Sequence, residues 1–323
     1  MSTVGISRAG SRKDCIRRAL DIICNETRDA VRRKDSDTLF IKLHVNDGYR
    51  LGLSTHPDAL KTVVEYFAGD FDHVIAGDTN LPFLRDNIYA DAGEIREMEF
   101  SDMRDYDSIP LKLLWADGSE KPARISLLPA SVFTISLSLP QIHECLAFSG
   151  CTENMAGCVV KNKKAFHGVE WWSRFSNKRA ARGNRAANMN LMRVLNQAKP
   201  DISVLDFYSC GKKAVGISMA SDDCVSADAM AARAMGMQYV PHLSIAQTVG
   251  LGVSKMEMIQ VALDGVSSWS EVRFPVRPHY SYMNQIASHY RVPLDFRHPF
   301  YAARRIRRLR DMRIEERLEK DVL

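Results

Sequence analysis

Two histidines and three cysteines crowd one stretch of thirty residues, LPQIHECLAFSGCTENMAGCVVKNKKAFHG, from Leu139 to Gly168. The imidazoles of His143 and His167, near their unperturbed pKa of about 6.5, can exchange protons at neutral pH on either face of a small substrate. Imidazole and thiolate are also the groups that soft or borderline metals prefer, so Cys145, Cys151 and Cys158 are candidate ligands for a divalent metal or an iron–sulfur cluster. The spacing matches neither a zinc finger nor a ferredoxin, because C-x-x-C occurs nowhere in the chain. The alternative is that the three cysteines are small core residues and one histidine is structurally bonded.

Carboxylates supply the second set. In DISVLDFYSCGKKAVGISMASDDCVSADAMAARAMG, from Asp201 to Gly236, the apolar run Ile202, Val204 and Leu205 predicts a strand ending at Asp206. Asp223 and Asp228 lie at the start of an alanine-rich helix that Gly236 can cap. Acids at strand ends and helix starts point to the rim of an α/β sheet, where ligands bind, and can orient the histidines or hold a divalent ion. Asp223 and Asp228 also suit simple capping of that helix, worth about 0.5–2 kcal/mol. Lys212 and Lys213, between Gly211 and Gly216, can meet a carboxylate or phosphate together with backbone N–H groups. Their loop lacks the Walker spacing, and its alternative reading is a solvated turn. His56 before Pro57 reads first as a helix-start residue, and Asp78 after Gly77 as a strand-end acid; both are kept as substrate-binding candidates.

Charge is uneven. The net charge is +5, yet the window from Lys161 to Lys199 holds ten Lys or Arg against the single acid Glu170. Such a patch wants an anionic partner, and Arg182 and Arg185 within it are placed to close over a small anion. Trp171 and Trp172 amid these cations could instead stack a nucleic-acid base. The aromatic, basic tail after Ser267 ends in a predicted helix from Pro299 to about Lys320, whose arginines and apolar residues suit an acidic surface or a second subunit. Composition is globular, with 46% hydrophobic residues. No apolar run reaches the roughly 18 to 20 residues that span a bilayer, and the first residues lack a secretory apolar core. The expected location is cytoplasmic, with seven cysteines reduced.

The elements that must position these groups are readable in outline. Asp14–Lys34 has helical periodicity with Ile16, Leu20 and Ile23 on one face. Thr38–Leu43, a helix opening at Ser54-Thr55-His56-Pro57-Asp58, and His73–Ala76 make a β-α-β unit. Leu111–Trp115 and Arg124–Leu128 flank Asp117-Gly118 as a hairpin. Ser131–Leu139 reads as a doubly buried strand, and Arg185–Ala198 and Pro241–Thr248 as helices. The expected fold is one α/β domain over residues 1–266, with a mixed, mostly parallel sheet flanked by helices, followed by a basic extension over 267–323.

Four pieces in order resemble domain-of-unknown-function family 362 (DUF362) over roughly residues 38 to 255. They are IKLHVN around Lys42, STHPDAL at Ser54, ISLSLPQIHE with ENMAGCVV, and LDFYSCGKKAVG with DDCVSADAMAARAMG. The resemblance implies a D-x-x-x-x-D pair at Asp223 and Asp228. It also implies a middle motif in which His143 is the first histidine, Asn154 and Gly157 fit an asparagine and a glycine, and His167 is the last histidine. Gln141 and Glu153 replace two lysines of that motif. Many relatives carry a ferredoxin-like cysteine insert, which this chain lacks. The His, Lys, His order is also similar to the N-terminal domain of nickel-dependent lactate racemase, whose lysine anchors a pincer nucleotide; Glu153 stands in that place here.

Together these readings predict a small-molecule enzyme of isomerase, lyase or transferase type acting on an anionic substrate in a specialised biosynthetic pathway. His143, His167 and Asp206 would do the chemistry; Lys42, His56, Asp78, Asn154, Lys212, Lys213, Arg182, Arg185, Asp223 and Asp228 would bind. No dinucleotide fingerprint supports an NAD-type oxidoreductase. The alternatives are a non-catalytic binder of nucleic acid or an acidic partner, and a metal or iron–sulfur protein.

Overall fold

The computed structural model describes residues 2–45, 54–79, 98–143, 145–168, 177–210 and 213–274. In chain order it runs β1 (Ser2–Arg8), α1 (Arg12–Ile22), α2 (Cys24–Lys34), β2 (Thr38–Leu43), α3 (Pro57–Phe67), β3 (His73–Asp78) and β4 (Met98–Asp102). A hairpin of β5 (Ser108–Leu114) and β6 (Glu120–Ser126) leads through α4 (Leu128–Ser131) to β7 (Phe133–Ser138). Then come β8 (Gln141–His143), β9 (Ala147–Ser149), α5 (Cys151–Asn154), β10 (Val159–Lys161) and the long α6 (Asn177–Ala198). The remainder is β11 (Ile202–Cys210), β12 (Lys213–Ser221), α7 (Cys224–Ala234), α8 (Pro241–Thr248), β13 (Ile259–Asp264) and α9 (Trp269–Val272).

Eight strands form one sheet in the order β13-β1-β12-β11-β7-β2-β3-β4. Only β12 runs against its neighbours; the other pairs are parallel, so the sheet is mixed and mostly parallel, as expected. Strand alternation divides the core in two. Leu39, Ile41 and Leu43 of β2 face α1 and α3 with Ile16, Leu20, Val63 and Phe67. Phe40 faces the opposite layer, packed from α6, α7 and α8, which also covers the hairpin β5–β6. Among the described residues no helix is long and apolar enough to cross a membrane.

Some elements depart from the sequence pattern. The single helix expected over Asp14–Lys34 is two, broken at Ile23, whose φ of −103° and ψ of 22° end α1 while its side chain stays fully buried. Pro57 opens α3 in the first turn, but the cap is an imidazole: His56 Nδ1 accepts from Asp58 N at 3.1 Å. Thr55, in the segment expected to open the helix, accepts from His44 N at 2.9 Å and donates to Leu137 O at 3.1 Å. β1, β4 and β13 were not foreseen. The expected helix of the tail lies outside the described residues.

Candidate functional site

The parallel strands end together along one edge, and this edge gathers most of the polar groups. Lys42 is the next-to-last residue of β2, on the face opposite to Ile41 and fully buried. Its ammonium has three hydrogens and three acceptors: Leu43 O at 2.6 Å, Asp78 Oδ2 at 2.5 Å and Asn154 Oδ1 at 3.2 Å. Asn154 returns its amide to Lys42 O and Ser136 Oγ, both at 3.0 Å. Gly157 makes room for this cluster, since a Cβ there would lie 2.6 Å from Lys42 Nζ. Lys42, Asp78 and Asn154, expected at the substrate, thus form a closed knot in which the lysine has no donor left for a ligand.

Next to the knot stand the imidazoles. His143 ends β8 and turns Nδ1 back to accept the backbone N–H groups of Cys145 and Leu146, each at 3.1 Å. A nitrogen that accepts twice carries no proton, so the neutral ring is protonated at Nε2. That Nε2 faces Glu153 Oε1 at 4.0 Å, beyond a direct hydrogen bond. His167 comes from the single-turn helix Lys163–His167, and its ring lies 6.1 Å from that of His143 with an interplanar angle of 16°. The two histidines are therefore brought together, as the sequence suggested.

Their acid is a different one. Burial alone would push the Glu153 carboxyl up, but His143, His44, the Ser149 hydroxyl at 2.7 Å and Lys163 together pull it down to about 2. It is ionised at any physiological pH. His44, just past β2, is held below the ordinary imidazole range by burial and by the positive charge of Lys42, against the pull of Glu153 and Asp78. Its Nε2 is buried and has no hydrogen-bond partner among the described residues. Lys163 donates to Thr79 Oγ1 at 3.1 Å on the same rim.

The other predicted acids lie elsewhere. Asp206 accepts from Arg12 Nε at 2.8 Å and Tyr208 N at 3.0 Å, while the partners of His143 are Cys145, Leu146 and Glu153. Burial raises the Asp206 carboxyl and Arg12 opposes that rise. His56 belongs to this second cluster, lowered by burial and then by Arg12. Asp223 is at the far edge of the sheet, because Ser221 pairs with Ser203 and Val4 at the starts of their strands. It caps α7 through Val225 N at 2.9 Å and ties down Val253 N at 2.8 Å. Capping is its role, and it does not border the histidines.

Asp228 is wholly buried on α7 and holds the start of α5, accepting from Cys151 N at 2.7 Å, Thr152 N at 2.8 Å and Thr152 Oγ1 at 2.5 Å. Burial raises its carboxyl to about 7, against these bonds. A Cβ on Gly150 would fall 2.3 Å from its Oδ1, so only glycine fits there. Thr152 Oγ1 also lies 3.3 Å from Nε2 of the fully buried His242, whose Nδ1 lies 3.2 Å from Leu146 O.

Cys151 Sγ donates to carbonyls of Ser136 and Val204, and burial drives its thiol well up and that of Cys158 to about 12. Cys145 is buried in the same core. These thiols are core residues rather than a ligand set, and among the described residues no group of three or more His, Cys, Asp or Glu could hold a metal ion. Arg185 sits half-buried on α6, which packs on the turn bearing His167. The side chains of Arg182 and Lys213, the whole of Lys212 and the Trp171-Trp172 pair lie outside the described residues.

Sequence reasoning missed His44, Glu153 as a partner, Lys163 and His242. The signal for the first was Lys42-x-His44 at a strand end. A lone histidine after Pro241 gave no signal for the last.

A family model described as Domain of unknown function (DUF362) matches residues 39–233. No curated protein matches the chain.

Proposed function

The chain belongs to the DUF362 family, whose function is unknown, and from that premise we propose an enzyme that moves protons on a small anionic substrate. The single observation that carries this reading is the buried Nε2 of His44, without a hydrogen-bond partner among the described residues, near the Glu153 carboxylate and His143. A buried polar nitrogen without a partner loses about 1–3 kcal/mol, a penalty that a bound substrate group would remove. His143 offers an N–H at Nε2, held near a carboxylate that can stabilise its charged form. His167 lies against it, so one imidazole can take a proton while the other gives one. Lys163 supplies positive charge at the rim, and the basic window of the sequence agrees with an anion. Proton abstraction and return is the step shared by isomerases and lyases, which keeps both classes open. Likeness to nickel-dependent lactate racemase adds nothing here, because ionised Glu153 cannot serve as an anchoring lysine.

The experiment incubates the protein in heavy water with a pool of small carboxylates and phosphate esters, followed by mass spectrometry. We expect deuterium or a changed product in at least one anion, with the rate falling by about 10²–10⁴-fold in His143→Asn. A metabolite profile identical between the two proteins and a blank would rule the reading out.

A further inference from the structure

His143 is not held by its own strand alone. Its Nδ1 takes two N–H groups from the segment that follows, Cys145 and Leu146, and that segment is gripped from outside at both ends. At the near end Leu146 O meets His242 Nδ1 at 3.2 Å, and a carbonyl can only accept, so this nitrogen carries the ring proton. At the far end Asp228 takes the N–H groups of Cys151 and Thr152. Thr152 lies between the two grips: its one hydroxyl proton goes to Asp228 Oδ2, and its oxygen lies 3.3 Å from His242 Nε2. Leu146 is the hinge of this arrangement: its carbonyl is pinned by His242 while its N–H points at His143.

We infer that His242 and Asp228 are positioning residues, which clamp residues 145–152 so that two backbone donors fix His143 with its proton on Nε2, toward Glu153. Neither residue touches the proposed reacting groups; both act through the peptide of the intervening segment. A clamp built this way makes the acid/base ring a single tautomer before substrate arrives. The neutral state of His242, pushed down to about 3 by burial, keeps one defined donor, at Nδ1, for Leu146 O. The inference rests on the reading of His143 as the proton-transfer group, but its readout does not require turnover.

Long-range nitrogen–proton correlation spectra of histidine-labelled protein report the tautomer of each ring. His143 in the unsubstituted protein should be wholly the Nε2–H form, and a ring protonated at Nδ1 would overturn the inference without any variant. His242→Leu should convert His143 to a mixture of tautomers, while His242→Asn, which keeps a donor for Leu146 O, should restore the single form. A single Nε2–H form in folded His242→Leu would refute the clamp. If His242→Leu does not fold, Asp228→Asn, which cannot accept both N–H groups, is read in its place with the same expectation. Failure of the enzymatic reading is distinguishable: it would appear as unchanged metabolite profiles in His143→Asn, with the tautomer result intact.

Discussion

Three hydrogens on Lys42 Nζ meet three acceptors, and this saturation changes what a substitution there would report. A buried ion pair adds little over an apolar pair of similar size, because desolvation offsets the Coulomb gain, but removing one partner strands a charge. Asp78→Ala should therefore destabilise the fold by about 3–5 kcal/mol, measured by urea denaturation. The double variant Lys42→Met, Asp78→Leu should be more stable than either single replacement. A loss in the double variant equal to the sum of the two single losses would mean that the charges interact weakly. An activity loss in Asp78→Ala would then say little about chemistry, which is why the test of function uses His143. At this scale the sequence was partly legible. His143 and His167 fell in one stretch and do meet, whereas Glu153 was visible only as a residue out of place in a motif. Asp223 was assigned by position along the chain, which does not say to which edge of the sheet the antiparallel β12 carries it, and Asp206 stays at the edge of Lys42 but turns to the α1 face.

Between elements, the contact of α7 with α8 carries a proton balance. Asp228 on α7 rises from 3.8 to about 7, and His242 on α8 falls from 6.5 to about 3, both by burial. At about pH 5 the unfolded chain holds one proton on the histidine and the folded chain one on the aspartate, so the pair adds no slope to stability. Single variants should unmask opposite slopes. In Asp228→Asn the depressed histidine remains: its contribution is present above 6.5 and lost as pH falls toward 3. In His242→Asn the raised carboxyl remains: its contribution is complete below 3.8 and lost as pH rises through 7. Urea midpoints across this range would check it, and slopes of the same sign would contradict it. Elements with strong local signals were read well, such as the wholly buried run of β7 and the Asp117-Gly118 hairpin. β1 and β13 escaped because their partners are each other and β12, so nothing local marks them.

For the whole molecule, the span matched by the family model is not the span that folds. Residues 39–233 leave out β1, β13, α1, α2, α8 and α9. Without β1, strand β12 loses the neighbour that covers its free side, and without α1 the apolar face of β2 and β7 loses Ile16 and Leu20. A fragment of residues 39–233 should accordingly lack the dispersed amide spectrum of the full chain; a well-dispersed spectrum would show the outer strands to be accessory. The seating of β1 has one more consequence, in time. Val4 must wait for Ser221 on one side and Val261 on the other. A chain emerging from the ribosome exposes this strand until β12 and β13 have followed it, so the sheet is completed late and its assembly is slow and open to chaperones.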